Sequence, residues 1–367
     1  MEQAYQATDS VVARLIPQNE PHGRRTFVKS LAALAGSAAL LGYDIRRAAS
    51  EPPPETTTIR ITNWDTGFIC FAPQWVAQEL LRLEGFTDFR YVNITEADVR
   101  RADAANTQPG AEMCARGAAD FTGINTAQLA PTLDAGVPIT VVGGVHGGCI
   151  ELFANDNVRG IADLKHRTVG LRWAGPDKGY VTSMASYVGL DPVKDISWVE
   201  ITDRSVPIAR LLAEGKIDAF LAIPPESQEL RAQHVGHVIV NWAVDRPWSQ
   251  YFCCMFAGNS AFVRKHPVAT KRVLRAMLKA SDLCASEPAR VARLLVEKGY
   301  TDRYEYALQA MREIPYNRWR EYDAEDSIRF YALRLHQVGF IKSSPNKLIA
   351  KHTDWRFLNE LKKELKG

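Results

Sequence analysis

The sequence contains few cysteines, and their spacing does not match a zinc ribbon or a disulfide framework. There are six among 367 residues, and no two of them form a Cys-x-x-Cys pair. Zinc ribbons need paired cysteines and disulfide scaffolds need dense ones, so both classes are excluded. We expect mostly buried thiols, no metal ion and no cofactor. The six are Cys70, Cys114, Cys149, Cys253, Cys254 and Cys284.

Motifs of the common enzyme classes are also absent. There is no Gly-x-Gly-x-x-Gly, no phosphate-binding loop ending in Gly-Lys-Ser/Thr, no His-Glu-x-x-His and no Gly-x-Ser-x-Gly. These motifs position dinucleotides, phosphates, zinc ions and acyl groups. The spacing of serine, histidine and aspartate residues selects no catalytic triad either. We therefore predict that the protein is not an enzyme.

Charge of one sign is not concentrated in any part of the chain. Lys and Arg number 45 and Asp and Glu 42, which gives a formal net charge of +3. Because the basic residues are scattered, nucleic acid is excluded as a partner. The composition, 46% hydrophobic and 24% charged, is typical of a globular protein, and the length suggests about two domains.

Long hydrophobic runs are missing, but a shorter one lies near the N-terminus. Residues 30–41 are uncharged and mostly apolar. A membrane-spanning helix needs about 20 apolar residues, whereas this run has the length of the apolar region of a signal peptide. The preceding Arg24-Arg25-Thr26-Phe27-Val28-Lys29 resembles a twin-arginine export signal. We predict export to the periplasm and cleavage near Ala48-Ala49-Ser50, so that the mature chain starts at Glu51.

The remainder of the chain alternates short β-branched runs with helical patterns, which is typical of α/β proteins with parallel strands. One set of elements begins with a strand at residues 58–63, and a second set begins near Cys149 and ends near Trp242. The chain then returns through the apolar residues 251–255 to a largely helical C-terminal part. An α/β unit inserted into another crosses between two lobes twice, so we predict a two-lobed protein with a hinge.

These boundaries give a complete domain prediction. Residues 1–50 are the signal peptide and leader, 51–148 the first part of lobe 1, 149–250 lobe 2, and 251–367 the return to lobe 1 and the C-terminal helices. Open parallel sheets bind ligands outside the carboxyl ends of their strands, and pockets favour domain interfaces. The predicted binding site is therefore the cleft between the lobes.

Several short segments, taken in order and spacing, carry a resemblance to a known family. They include Thr62-Asn63-Trp64, Gly123-Ile124-Asn125-Thr126 and Leu212-Ala213-Glu214-Gly215-Lys216-Ile217-Asp218-Ala219. With the export signal, the chain resembles the periplasmic solute-binding proteins of ABC importers for nitrate, alkanesulfonates and taurine, which are related to proteins that bind thiamin-pyrimidine precursors. The resemblance implies a type II periplasmic binding protein fold, in which two doubly wound lobes close on a small solute. It also implies an inner-membrane ABC permease as partner, and we expect a monomer.

Candidate solute contacts come from turns between strands and helices. The N-terminus of a helix offers unpaired N–H groups and partial positive charge, which suit a sulfonate, a nitrate or an aromatic carboxylate. Each of these residues has the alternative of being an ordinary turn residue. The candidates are Asn125, Thr126, Trp173, Lys178, Gly179 and Tyr180, with Arg172 as a further candidate for pairing with an anionic group.

Four further candidates lie at other strand ends. Trp64 and Asp65 follow the first strand, where an indole can stack on a ring and a carboxylate can accept a hydrogen bond. His146 lies at the first crossing between glycines, where it contacts either the solute or a structural partner. Glu226 faces an amino-bearing solute or interacts with the dipole of its own helix.

Three alternatives to anion transport remain open at this point. Cys253-Cys254 resembles part of the cysteine-rich motif of the related pyrimidine synthases, in which a binding-protein fold performs iron-dependent chemistry. Those enzymes have more cysteines in the run and are not exported. A thiamin-pyrimidine precursor as the solute is the second alternative, and a sensory role at a membrane receptor is the third. Neighbouring permease and ATPase genes would separate transport from sensing.

Overall fold

The computed structural model describes residues 51–64, 68–172, 177–202 and 206–365. The predicted signal peptide and leader lie outside the described residues, as do the candidate site residues Asp65 and Trp173. From Pro53 onward the chain is one compact unit that contains two five-stranded sheets. No helix of the described part is long and apolar enough to cross a membrane.

The strands of the described residues are numbered in chain order. They are β1 Thr58–Asn63, β2 Asp88–Asn93, β3 Phe121–Asn125, β4 Ile139–His146, β5 Glu151–Ala154, β6 Arg167–Arg172, β7 Ile196–Ile201, β8 Ala219–Ala222, β9 His237–Asn241 and β10 Cys254–Asn259.

The α-helices are numbered in the same way. They are α1 Ala72–Leu83, α2 Glu96–Ala104, α3 Pro109–Ala115, α4 Thr126–Asp134, α5 Asp177–Tyr187, α6 Ile208–Ala213, α7 Glu226–Gln233, α8 Ser260–Lys265, α9 Pro267–Ser286, α10 Pro288–Glu297, α11 Tyr304–Glu313, α12 Ala324–Gln337, α13 Pro345–His352 and α14 Arg356–Glu364.

The two sheets share one topology. Sheet A has the order β2-β1-β3-β10-β4, and sheet B has the order β7-β6-β8-β5-β9. In each sheet the first three strands are parallel and the fourth is antiparallel to its neighbours. The antiparallel strands β5 and β10 are the first strands after the chain has passed from one sheet to the other. The α/β fold class predicted from the alternating pattern is confirmed.

Local sequence signals explain where the elements begin and end. β1 is the β-branched segment Thr58–Asn63, in which Ile59 and Ile61 are buried, as are the polar Thr62 and Asn63 at its carboxyl end. α1 begins beside Pro73, whose fixed φ suits the first turn of a helix. Gly85 and Gly136 end α1 and α4 with φ values of +100° and +82°, a conformation that L side chains rarely adopt.

A large buried cluster joins sheet B to the C-terminal helices. Tyr180 of α5 packs edge-on against Trp242 and Tyr331, with ring centroids 5.7 and 5.5 Å apart. Trp242 Nε1 donates a hydrogen bond to the Tyr331 hydroxyl at 3.1 Å. Tyr331 belongs to α12, so this aromatic group packs α5 against the C-terminal helices, which follow β10 in the chain. All six cysteines are buried, as predicted.

Candidate functional site

A cavity of about 310 Å³ lies at the carboxyl ends of two strands of sheet B. Arg172 ends β6 and Glu200 lies near the end of β7, and both line the cavity. The opposite wall includes Asp103 of α2 and Gln128 of α4, which belong to helices that pack around sheet A. This is the position that open α/β sheets use for ligands.

Lys178 and Gly179, two of the predicted turn residues, line this cavity. Lys178 is exposed, and its Nζ lies 3.9 Å from Glu200 Oε1. Gly179 is buried, and a Cβ at this position would lie 3.1 Å from the carbonyl oxygen of Ala127. The missing side chain therefore lets the first turn of α5 approach the first turn of α4.

Glu226 lies beside the cavity in an ion pair with Arg172. The Arg172 guanidinium also lies 3.6 Å from Asp177 Oδ2, and this oxygen accepts the backbone N–H of Arg172 at 2.9 Å. Burial raises the pKa of both Asp177 and Glu226, and the positive charge of Arg172 opposes the rise. The pairing of Glu226 with Arg172 gives it a structural partner in the described part of the chain.

Thr126 is buried, and Asn125, which precedes it, is half-buried. Thr126 is 1% exposed. Its backbone N–H donates to the carbonyl of Cys253 at 2.9 Å, and its hydroxyl donates to the carbonyl of Phe252 at 2.7 Å. Asn125 does not cap α4 with its side chain; its Nδ2 lies 3.7 Å from Cys254 Sγ. This turn therefore holds β3 against the start of β10, and both donors of Thr126 are used within the protein.

Tyr180 is also committed to the protein interior. Its ring is fully buried, and its hydroxyl donates to the carbonyl of Cys253 at 2.7 Å. The same hydroxyl lies 3.3 Å from Cys253 Sγ. The Tyr180 ring packs against Tyr331 of α12 and does not line the cavity of about 310 Å³.

Trp64 lies apart from Lys178 and Gly179. It is half-buried at the end of β1 and packs edge-on against Phe68, with ring centroids 5.2 Å apart. Both rings line a narrow cavity of about 10 Å³, which is smaller than a solute. Lys178 and Gly179 line the cavity of about 310 Å³ instead. The structure thus separates candidate contacts that the sequence analysis assigned to one site.

His146 lies within a group of buried cysteines. One ring nitrogen of His146 and the sulfur atoms of Cys70, Cys149 and Cys254 all lie within 4.8 Å of one another. His146 ends β4 and is paired across the sheet with Cys254, the first residue of β10. Cys70 lies in a short 3₁₀ helix after β1, and Cys149 lies in the connection from β4 to β5. We call these four residues the Cys₃His cluster.

The groups of the Cys₃His cluster shift one another's proton affinity. Hydrogen bonds from Cys149 and Cys254 hold the pKa of Cys70 well below the usual thiol range. Burial alone would lower the pKa of His146, but the interaction with Cys70 raises it above its ordinary value. Burial raises the pKa of Cys149 and of Cys254. Three thiols and an imidazole in this arrangement are the donor types that soft metal ions prefer.

The spacing of the cysteines did not predict this cluster. Spacing rules detect ligands that lie close together in the sequence, whereas these ligands come from three separate segments. The one local signal is His146-x-x-Cys149, which places two donor residues in a single glycine-rich connection. Only the pairing of β4 with β10 brings Cys254 beside it.

A larger groove of about 470 Å³ lies between α1 and α10. Charged residues such as Arg82, Arg290 and Glu297 line it, and its lining includes no strand residue. We therefore assign the candidate solute site to the smaller cavity at the strand ends.

Solved structures show which class of fold this is. The periplasmic nitrate-binding protein NrtA from Synechocystis PCC 6803 superimposes with a TM-score of 0.67 at 15% identity, over 86% of this chain and 90% of that chain. The putative periplasmic sulfonate-binding protein SsuA from Methylobacillus flagellatus KT gives a TM-score of 0.61 at 16% identity, over 84% and 94%. The aliphatic sulphonate-binding protein SsuA from Escherichia coli gives 0.58 at 16% identity, over 79% and 90%. The fold is that of the periplasmic binding proteins.

The family is shown by the sequence itself. The family model described as NMT1/THI5 like matches residues 97–291, which is more than half of the chain. The protein belongs to the NMT1/THI5-like family, as the resemblance in its short segments predicted. No curated protein sequence matches the chain.

Proposed function

We propose that this protein is the exported solute-binding component of an ABC importer. The observation that carries the proposal is the cavity of about 310 Å³ at the carboxyl ends of β6 and β7. Its volume suits a small organic molecule, and its walls come from helices and strand ends around both sheets. Family membership and the periplasmic binding protein fold support the same function.

The charges that line the cavity narrow the chemical class of the solute. Two cationic side chains, Arg172 and Lys178, line it together with two carboxylates, Asp103 and Glu200. Because the charges balance, the lining is complementary to a molecule that carries both an anionic group and an amino group. We therefore favour a small zwitterion, such as an aminosulfonate, over a simple anion such as nitrate.

Replacing Lys178 with alanine tests this assignment. We expect Lys178→Ala to weaken binding of taurine about tenfold or more, because a hydrogen bond to a charged group contributes about 1.5–3 kcal/mol. Isothermal titration calorimetry of the purified protein measures the change, with nitrate, an aromatic carboxylate and an aminopyrimidine as comparison ligands.

The matched control is Lys194→Ala. Lys194 is also an exposed, ion-paired lysine, with its Nζ 2.9 Å from Asp191, but it does not line the cavity. Its replacement should leave the affinity unchanged. Equal affinities of wild-type protein and Lys178→Ala for every bound ligand would remove this cavity from the proposal, and failure of the whole panel to bind would count against the solute class.

We also propose that the two sheets belong to two lobes that close on the solute. The strands of sheet A come from residues 58–146 and 254–259, and those of sheet B from residues 151–241. This supports lobe 1 at 51–148 and 251–367 and lobe 2 at 149–250. Closure would present the loaded form to the permease.

Export by the twin-arginine route is part of the same proposal. Replacing Arg24 and Arg25 with lysines should leave the protein in the cytoplasm, because the receptor of this pathway reads the arginine pair. The matched control replaces Arg46 and Arg47, a second arginine pair beyond the apolar run, and should be exported normally. Cell fractionation measures both variants, and normal export of the Arg24→Lys/Arg25→Lys variant would rule out this route.

A further inference from the structure

We propose that Cys70, His146, Cys149 and Cys254 bind one Zn²⁺ ion. The Cys₃His cluster lies beside the connections between the two sheets and shares no residue with the lining of the solute cavity. It is therefore a second site, independent of the proposed solute. The proposal rests on the distances within the cluster, on the hydrogen bonding of its histidine and on its burial.

The distances fit a tetrahedral ion. In a tetrahedral site with Zn–S bonds of about 2.3 Å, two sulfur ligands lie about 3.8 Å apart. The four donor atoms of the cluster lie within 4.8 Å of one another. An inward movement of about 1 Å or less, which rotation of the cysteine side chains provides, would bring them to bonding distance.

The histidine ring is oriented with one nitrogen towards the protein backbone and the other available to a metal ion. Its Nδ1 lies 2.6 Å from the carbonyl oxygen of Gly147, which can only accept, so Nδ1 carries the proton. The lone pair of a neutral ring is then on Nε2, and among the described residues this buried atom has no hydrogen-bond partner. Buried polar atoms are rarely left unpaired. A backbone carbonyl that orients the ring of a metal-binding histidine is a common arrangement.

The number and type of donors favour zinc. Four protein ligands around one point leave no open position, which is typical of structural zinc sites and not of catalytic ones. All four residues are buried, with Cys149 the most exposed at 6%. A divalent ion with three thiolates leaves a net charge of −1 in this apolar interior, whereas a monovalent copper ion would leave −2. The smaller charge costs less to bury.

Neighbouring groups are arranged to support bound thiolates. Asn125 Nδ2 lies 3.7 Å from Cys254 Sγ and can donate to the sulfur. The rings of Phe71 and Tyr316 pack edge-on against His146, with centroids 6.5 and 5.3 Å away, and shield it from water. A fifth cysteine, Cys253, lies beside the cluster with its sulfur 3.4 Å from Cys149 Sγ.

The bound ion would tie the start of a connection between the sheets to sheet A. His146 and Cys254 belong to paired strands of sheet A, whereas Cys149 lies in the connection that leads to β5. Because the unfolded chain does not preform this site, metal binding would stabilise the folded protein.

Metal analysis of the purified protein tests the proposal. We expect about one zinc ion per chain when the protein is purified under reducing conditions. Removal of zinc with a chelator should lower the midpoint of thermal unfolding, and added Zn²⁺ should restore it. Replacement by Co²⁺ should give the thiolate charge-transfer band and the visible absorption of a tetrahedral site. These spectra do not depend on solute binding.

Three variants identify the ligands. Cys70→Ser should retain less than about a tenth of the zinc, because it removes one of four ligands. Cys284→Ser is the matched control, since Cys284 is equally buried but lies outside the cluster in α9, and it should retain all of it. Cys253→Ser should also retain zinc and the cobalt spectrum, because the four-ligand set does not include Cys253. Circular dichroism confirms that each variant is folded.

Several results would overturn the proposal. A reduced, folded wild-type protein that takes up neither Zn²⁺ nor Co²⁺ would exclude the site. Loss of zinc from Cys253→Ser but not from Cys70→Ser would show that the ligand set is wrong. Copper or iron in the purified protein in place of zinc would exclude zinc as the resident ion. A disulfide between Cys149 and Cys253 in the native protein, detected by mass after alkylation, would show that these sulfurs serve a covalent bond instead.

Discussion

Glu84→Gln is expected to lower the free energy of unfolding by about 3 kcal/mol, because it removes the buried carboxylate that binds the buried charge of Arg275. Glu84 caps the carboxyl end of α1 and is fully buried, and Arg275 of α9 binds it with two hydrogen bonds of 2.6 Å. The carboxylate of Glu364 lies 3.5 Å from Arg275, but its side chain is 26% exposed and compensates only in part. Urea denaturation measures the change.

Two further variants separate the buried pair from ion pairs in general. Glu96→Gln removes an exposed partner of Arg100, with side chains 62% and 68% exposed, and should cost less than about 1 kcal/mol. The double variant Glu84→Met/Arg275→Met should be more stable than Glu84→Gln, since it removes both buried charges. If Glu84→Gln is no less stable than Glu96→Gln, then the pair does not hold α1 against α9.

Gly148→Ala is expected to cost about 3 kcal/mol or more, because a methyl group there has no space. A Cβ at Gly148 would lie 2.0 Å from the carbonyl carbon of Trp242 and 2.1 Å from its oxygen. Both are backbone atoms, so no side-chain rotation relieves the contact. Trp242 is also held by the hydrogen bond from its N–H to the carbonyl of Ile150 at 3.0 Å. The two connections between the sheets therefore pass each other at this glycine.

Gly160→Ala is the control for this effect. Gly160 has a φ of −162°, which any residue adopts, and nothing lies within 4 Å of the position of its Cβ. Its replacement should change the free energy of unfolding by less than about 0.5 kcal/mol. Equal stability of the two variants would mean that the connections move apart easily at Gly148.

The elements that could be predicted are those whose signals are local. β1 was predicted with the bounds that the structure has, because it is a short β-branched run. β2 was not predicted. Its sequence, Asp88–Asn93, contains two charged residues and no continuous apolar run, and none of its six residues is buried. It is an edge strand, so it pairs with one neighbour only and its sequence is weakly constrained.

The candidate site residues also divide into those that local sequence signals placed at the cavity and those that they did not. Lys178 and Gly179 were predicted from a strand-to-helix connection, and both line the cavity because the carboxyl ends of parallel strands share one edge of a sheet. Thr126 and Tyr180 have equally good local signals, yet both donate hydrogen bonds to the segment Phe252-Cys253. That segment follows them by more than 70 residues, and no local pattern reveals such a contact.

The sequence by itself determined the α/β class, the family and the positions of most strands and helices, since periodicity, turn residues and short motifs act over a few residues. The tertiary structure decided which strands run antiparallel, which turn residues face the cavity and which cysteines meet. Cys70, His146, Cys149 and Cys254 form one cluster only because β10 inserts between β3 and β4. Strand order depends on the burial of whole faces of a sheet, which is a property of the folded chain and of no single segment.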